Sequence, residues 1–176
     1  MSIKQETKTE IISWIKTIAY AIIFAFCINN FIIVNASVPT GSMRNTIMEG
    51  DRIVAFRLSY LLAEPERFEV VVFKYPDDES IYYVKRIIGL PNETVTIIDG
   101  EVYINDSDIP LDTSFLPEKM YGDFGPYVVP EDSYFMLGDN RNNSLDSRYW
   151  DNTYLTKDGM LGKAIFKYYP SIGTIR

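Results

Sequence analysis

Ser42 lies in the stretch Val38-Pro39-Thr40-Gly41-Ser42-Met43, where a proline and a glycine bracket a threonine just ahead of a serine. That wording suits an exposed, sharply turned backbone. Such a turn is either a plain linker or the seat of a nucleophile, and the second role needs a partner that removes the hydroxyl proton. The chain contains no histidine, so a Ser-His-Asp or Cys-His apparatus and any histidine-built metal site are excluded. Its one cysteine, Cys27, sits inside an apolar run. No internal disulfide or thiolate zinc site can form, and packing is the role left for Cys27. A base working near neutral pH must therefore be a carboxylate, a lysine, a tyrosine or a metal-bound water.

The best partner for Ser42 comes from Ile81-Tyr82-Tyr83-Val84-Lys85-Arg86-Ile87-Ile88-Gly89. Read as a strand, it puts Ile81, Tyr83, Lys85, Ile87 and Gly89 on one face and Tyr82, Val84, Arg86 and Ile88 on the other. Both faces are otherwise apolar, as in an interior strand. A lysine there either snorkels to the surface or loses hydration. In the second case its pKa falls and it becomes a neutral amine base. A third constellation runs from Gly138 to Trp150, Gly-Asp-Asn-Arg-Asn-Asn-Ser-Leu-Asp-Ser-Arg-Tyr-Trp. By composition it is a polar turn with solvated charges or a scaffold that orients a buried amine. In the scaffold reading Ser144 hydrogen-bonds Lys85, while Asp139 and Asp146 pair with Arg86 and Arg148.

These residues need elements to position them. No charged residue occurs between Thr17 and Met43, and Thr17–Val38 is rich in Ile, Ala, Phe and Val. As a helix that stretch would reach roughly 33 Å, enough to cross a hydrocarbon core of about 30 Å. Trp14 and Tyr20 fall near its start, where amphipathic rings favour the interface. Val34-Asn35-Ala36 resembles a signal-peptide cleavage site, but the apolar run is longer than such peptides carry. The expected layout is an N-terminal segment 1–16, a membrane anchor 17–36 and a β-rich domain 37–176. Lys4, Lys8 and Lys16 outnumber Arg44 and Arg52 around the span, which sets the N-terminus in the cytoplasm and the domain outside.

Beyond Ser42 the pattern becomes strand-like. Arg52–Phe56, Glu69–Tyr75, Tyr82–Gly89, Ser133–Leu137 and Lys163–Tyr169 are short β-branched or aromatic runs. Thr94–Ile98 and Glu101–Ile104 flank Asp99-Gly100, a strong hairpin signal. Residues 106–125 hold two prolines and two glycines and read as a long loop or small excursion. The expected fold is mainly β, with bent antiparallel sheets or a partly closed barrel behind one N-terminal helix. Net charge is −7 overall and −8 beyond residue 36, which argues against nucleic acid as a partner.

Taken together, the apolar span, Pro39–Ile47, Gly50-Asp51, Tyr82–Pro91 and Gly138–Trp150 resemble the bacterial type I signal peptidases, membrane-anchored Ser/Lys endopeptidases. The resemblance covers nearly the whole chain and is closest to the compact Gram-positive form. The lysine distinguishes it from the endoplasmic-reticulum relatives, which use histidine at that place. The resemblance implies Ser42 as nucleophile and Lys85 as general base, without metal or cofactor. It implies Thr40 beside the Ser42 amide in the oxyanion hole and Ser144 orienting Lys85, with Asp139, Asp146, Arg86 and Arg148 supporting the site. The substrate would be the signal peptide of an exported preprotein, lying extended beside Val38 and Val84 at the surface of the cell membrane. Asn45 stands where that family usually has proline, and Asn142 where aspartate is common. Two rivals are a self-cleaving Ser/Lys protease of the repressor type and a membrane-anchored scaffold that keeps the fold without catalysis. The span and the lack of a DNA-binding region count against the first, and the presence of both Ser42 and Lys85 against the second.

Overall fold

Apolar sequence with few charges builds the first element, a helix from Ile3 to Cys27 (α1) that continues as a π-helical turn, Ile28–Ile32. The computed structural model describes residues 3–175; Met1 and Ser2 of the expected 1–16 segment, and Arg176, lie outside the described residues. Thr7–Ile32 is long and apolar enough to cross a membrane, and its most apolar stretch is left unburied by the rest of the chain. The π turn carries Asn29 and Asn30. Asn30 donates to the Phe26 carbonyl (2.8 Å) and Asn35 to Asn29 Oδ1 (3.2 Å), so the two amides are bonded where the helix ends.

The expected helix over Thr17–Val38 is corrected at its C-terminal end. Ile33–Ser37 is a strand (β1), paired antiparallel with Arg52–Phe56 (β2) from Ile33↔Phe56 to Ser37↔Arg52. Apolarity alone made this stretch look like more anchor. The β-branched Ile33-Val34 favours extended backbone, and burying Val34 against β2 decides the outcome.

A short helix, Ser59–Leu62 (α2), follows β2. The remaining strands are Val70–Tyr75 (β3), Asp78–Gly89 (β4), Thr94–Ile98 (β5), Glu101–Ile104 (β6), Phe124–Val128 (β7), Ser133–Leu137 (β8), Leu155–Thr156 (β9), Met160–Tyr169 (β10) and Gly173–Thr174 (β11). The large sheet runs β1-β2-β10-β3-β4-β8-β9, with β11 on β10; β6-β5-β7 form a second sheet. The large sheet does not close, so the domain is a set of bent antiparallel sheets rather than a barrel. The expected Asp99-Gly100 hairpin is present, pairing Ile98 with Glu101, and both turn residues have positive φ. The expected loop 106–125 gives way to β7 at Phe124.

The register carries a positional message. Ile33, Phe56, Lys163, Val71 and Lys85 are successive partners across five adjacent strands. Lys85 thus shares one cross-strand row with the residue that follows the apolar helix. Core lies on both faces of β3: Val70 and Val72 join Val34, Val38, Met43, Ile47 and Ile53, while Val71 and Phe73 join Ile87, Met136 and Trp150. Double-sided burial is why these strands read as unbroken apolar runs.

Candidate active site

Ser42 sits in a single 3₁₀ turn, Gly41–Met43, entered from extended Thr40 (φ −126°, ψ 154°). Two fully buried side chains behind the turn, Met43 and Ile47, fasten it to the core. Met43 and Ile47 are joined by a backbone bond, Ile47 N–H to Met43 O, 2.8 Å. Asn140 holds the turn from the other side. Its backbone N–H donates to Ser42 O (3.0 Å) and its side-chain amide to Gly41 O (2.8 Å).

Lys85 is brought to this turn by β4. It is 3% exposed, so it does not snorkel, and its Nζ lies 2.7 Å from Ser42 Oγ. Nζ also donates to the Val84 carbonyl (3.2 Å) and sits 5.0 Å from the centre of the Tyr83 ring. Burial pushes the Lys85 amine down to about 8, against the opposing pull of the Asp146 and Asp139 carboxylates. A buried ammonium is disfavoured because it has lost its water. When Lys85 is charged, Nζ donates to Oγ; when it is neutral, the serine O–H donates to Nζ. The second state is the one that primes a nucleophile.

The polar stretch after β8 is a support for both groups. Arg86 and Asp139 form a bidentate pair, Nε–Oδ1 2.7 Å and Nη2–Oδ2 2.6 Å, with Arg86 1% exposed and Asp139 fully buried. Arg86 Nη1 donates to Phe68 O (2.6 Å), and Thr46 Oγ1 donates to Asp139 Oδ2. The Ser42 loop is therefore tied to the pair through Thr46. Asp146 accepts from Arg148 (2.8 and 2.9 Å) and from the Gly138 backbone N–H (3.0 Å). Both expected ion pairs are present. Gly138 has no room for a side chain: a Cβ there would fall 2.2 Å from Ser144 Oγ and 2.5 Å from Ser42 O.

Other expected roles are placed differently. Ser144 Oγ is buried close to Gly138 and has no hydrogen-bond partner, so the expected bond from Ser144 to Lys85 is not formed. Thr40 is exposed and its side chain does not cap the turn. Val38 is buried in the core, and both of its backbone groups are taken, N–H by Asp51 O (3.0 Å) and C=O by Gly50 N–H (2.8 Å). An extended ligand cannot pair with Val38 itself. Val84 is better placed: β8 joins β4 only from Arg86 onward, leaving the Tyr82–Val84 edge unpaired by β8.

The two departures from the family pattern have physical accounts. Asn45 has φ 85°, a left-handed conformation that asparagine tolerates and proline, locked near −65°, cannot adopt. The turn is nonetheless secured by the Thr46, Ile47 and Asn140 bonds. Asn142 accepts from the Tyr121 N–H (2.8 Å) and donates to Lys119 O (2.9 Å); an ionised aspartate can only accept.

Asn140 and Thr46 were not singled out from sequence. Asn140 lay in plain view beside Asp139, but only the fold shows that it binds the Ser42 turn.

The sequence model described as "Signal peptidase, peptidase S26" matches residues 11–169. The chain is 38% identical over 160 residues to a probable signal peptidase I-2 of Synechocystis, covering 88% of this chain and 72% of that one. It is 34% identical over 174 residues to signal peptidase I S of Bacillus subtilis, covering 93% and 91%. A solved structure of a signal peptidase I from Enterococcus faecalis is 33% identical, with a TM-score of 0.48 over 57% of this chain and 97% of that one.

Proposed function

The chain belongs to the signal peptidase family, peptidase S26, and from that premise we propose that it cleaves signal peptides from exported preproteins with a dyad of Ser42 and Lys85. The observation that carries this reading is the 2.7 Å approach of a buried Lys85 Nζ to Ser42 Oγ. Neutral Lys85 accepts the hydroxyl proton as Ser42 Oγ attacks the scissile carbonyl carbon. The Ser42 N–H and the Thr40 hydroxyl receive the oxyanion, each such donor contributing about 3–4 kcal/mol to the transition state. Collapse breaks the C–N bond, and the Lys85 ammonium returns its proton to the leaving amine. Water then attacks the acyl-enzyme, Lys85 takes a proton from it, and Ser42 is restored.

Arg86, Asp139, Asp146 and Arg148 act on the reaction only by holding the Ser42 turn and the Gly138 stretch. Ser144, whose unpartnered hydroxyl lies against Gly138, orients Lys85 once a side-chain adjustment lets the two meet. The cleaved segment adds to the unpaired Tyr82–Val84 edge as an extra strand. Main-chain pairing there accounts for binding without cofactor or metal.

Location fits the substrate. Residues 17–32 anchor the chain with the N-terminus in the cytoplasm, and residues 37–176 form the catalytic domain outside. Arg57 N–H bonds Ile32 O (2.9 Å), so α2 begins beside the end of the apolar helix, with Leu61 and Leu62 79% and 81% exposed. The cross-strand row from Ile33 to Lys85 supports a dyad close to the bilayer surface, where the apolar helix of a signal peptide emerges.

The pH profile tests the amine base. Only neutral Lys85 is active, so kcat/KM on a preprotein should climb about tenfold per pH unit below an inflection near 8. It should level off above that. A rate that stays flat down to acid pH would exclude Lys85 as the base.

A further inference from the structure

We infer that the cavity beneath the 106–123 loop is a binding site for a small oxyanion, of phosphate or carboxylate class, held by the Arg141 guanidinium. The cavity measures about 410 Å³ and is an open cleft lined by residues 110–114 and 116–120, by Gly100 and Glu101, and by Arg141. Gly100 permits this close approach: its φ is 77°, and a Cβ there would fall 1.9 Å from Met120 O.

Arg141 is 3% exposed, yet among the described residues its side chain makes one hydrogen bond, from Nε to Gly138 O (3.1 Å) within its own turn. Nη2 is buried with no partner. A buried guanidinium nitrogen without an acceptor is costly, because it has given up water and gained nothing in return. The same burial pushes its pKa down to about 10 even with Asp139 and Asp146 nearby.

The carboxylates that line the cavity are already engaged elsewhere. Glu101 pairs with Lys119 (3.3 Å), Asp112 accepts the Ser114 N–H (3.0 Å), and Glu118 accepts from Asn142 (3.4 Å). The lining thus holds three carboxylates against Lys119 and Arg141, and Arg141 Nη2 is its one buried side-chain donor without a partner among the described residues. The planar fork of guanidinium donors matches two oxygens of a phosphate or carboxylate. An occupant would also brace the catalytic strip, since Arg141 follows Asn140, the residue that clamps the Ser42 turn, and Arg141 O accepts from Arg148 (2.6 Å). This inference does not depend on the dyad.

The test is thermal unfolding of the full chain in detergent micelles at fixed ionic strength, exchanging chloride for inorganic phosphate in one arm and for acetate in the other. At ten times the dissociation constant, a folded-state ligand raises the folded-to-unfolded ratio about elevenfold. A saturable rise in midpoint is expected in at least one arm, and the arm that saturates at lower concentration assigns the class. Arg141→Gln should abolish the response. Thr113→Trp, which keeps the guanidinium and fills the cavity, should abolish it as well and serves if Arg141→Gln does not fold. No saturable rise in either arm, or the same rise in the variants, would overturn the site.

Discussion

Replacing Lys85 with methionine is expected to lower preprotein cleavage by roughly a thousandfold or more and, at the same time, to make the protein more stable. Both effects come from one fact, the burial of an amine whose pKa falls from 10.5 to about 8. The sign follows from proton linkage. Below pH 8 the folded protein bears the full cost of an ammonium without water, about 3 kcal/mol, relative to an unfolded chain in which Lys85 is solvated. As pH rises from 8 to 10.5 the unfolded chain binds more protons than the folded one, and the cost fades. Methionine has similar length and no charge, so Lys85→Met should unfold at higher denaturant concentration than the parent at pH 7. Its advantage should shrink toward pH 10. Chemical denaturation followed through buried Trp150 would measure both trends. A variant that lost activity and stability together would place Lys85 among the structural residues and remove the argument for a strained amine base.

The second large effect concerns Asp139. Its carboxylate neutralises Arg86 through two hydrogen bonds, and neither side chain is more than 2% exposed. Asp139→Ala would strand a guanidinium in the core, at a cost of about 3–5 kcal/mol, a large part of the 5–15 kcal/mol that holds an ordinary domain together. Thr46 would lose its acceptor too, and the Ser42 loop would lose one of its ties. The pair Arg86→Met with Asp139→Leu should recover most of that stability, because no charge is left unpaired. Denaturation midpoints of the single and double variants separate the two cases. Equal losses in both would mean that shape, rather than charge, fixes this part of the core.

Much of the domain can be read from local chemistry. The hairpin over 94–104 follows from Asp99-Gly100 and the alternation on either side. The strand that carries Lys85 stands out because two cations interrupt an apolar run. The two ion pairs, Arg86–Asp139 and Arg148–Asp146, were also foreseeable, since buried charges in such a dense stretch need partners. The features missed are those set by distant contacts. Ile33–Ser37 is apolar enough for the anchor, and only the neighbouring β2 turns it into a strand. Phe124–Val128 carries glycine and proline, poor signals for a strand, but pairing with β5 overrides them. Val38 sits where a substrate strand was expected, but Gly50 and Asp51 fold back and occupy its backbone groups. Whether Asn140 or Arg141 holds the catalytic turn depends on which way each side chain leaves a loop, and spacing carries no record of that.

The absence of histidine and a lysine out of place make Lys85 the best candidate partner for Ser42, and the resemblance to the signal peptidases implies the dyad. The dyad is most directly tested with the serine. The full chain in micelles should cleave an exported preprotein at a single bond behind its signal peptide, and Ser42→Ala, with its turn still held by Asn140, Met43 and Ile47, should leave the same preprotein intact. Cleavage at the parental rate by Ser42→Ala would contradict the account.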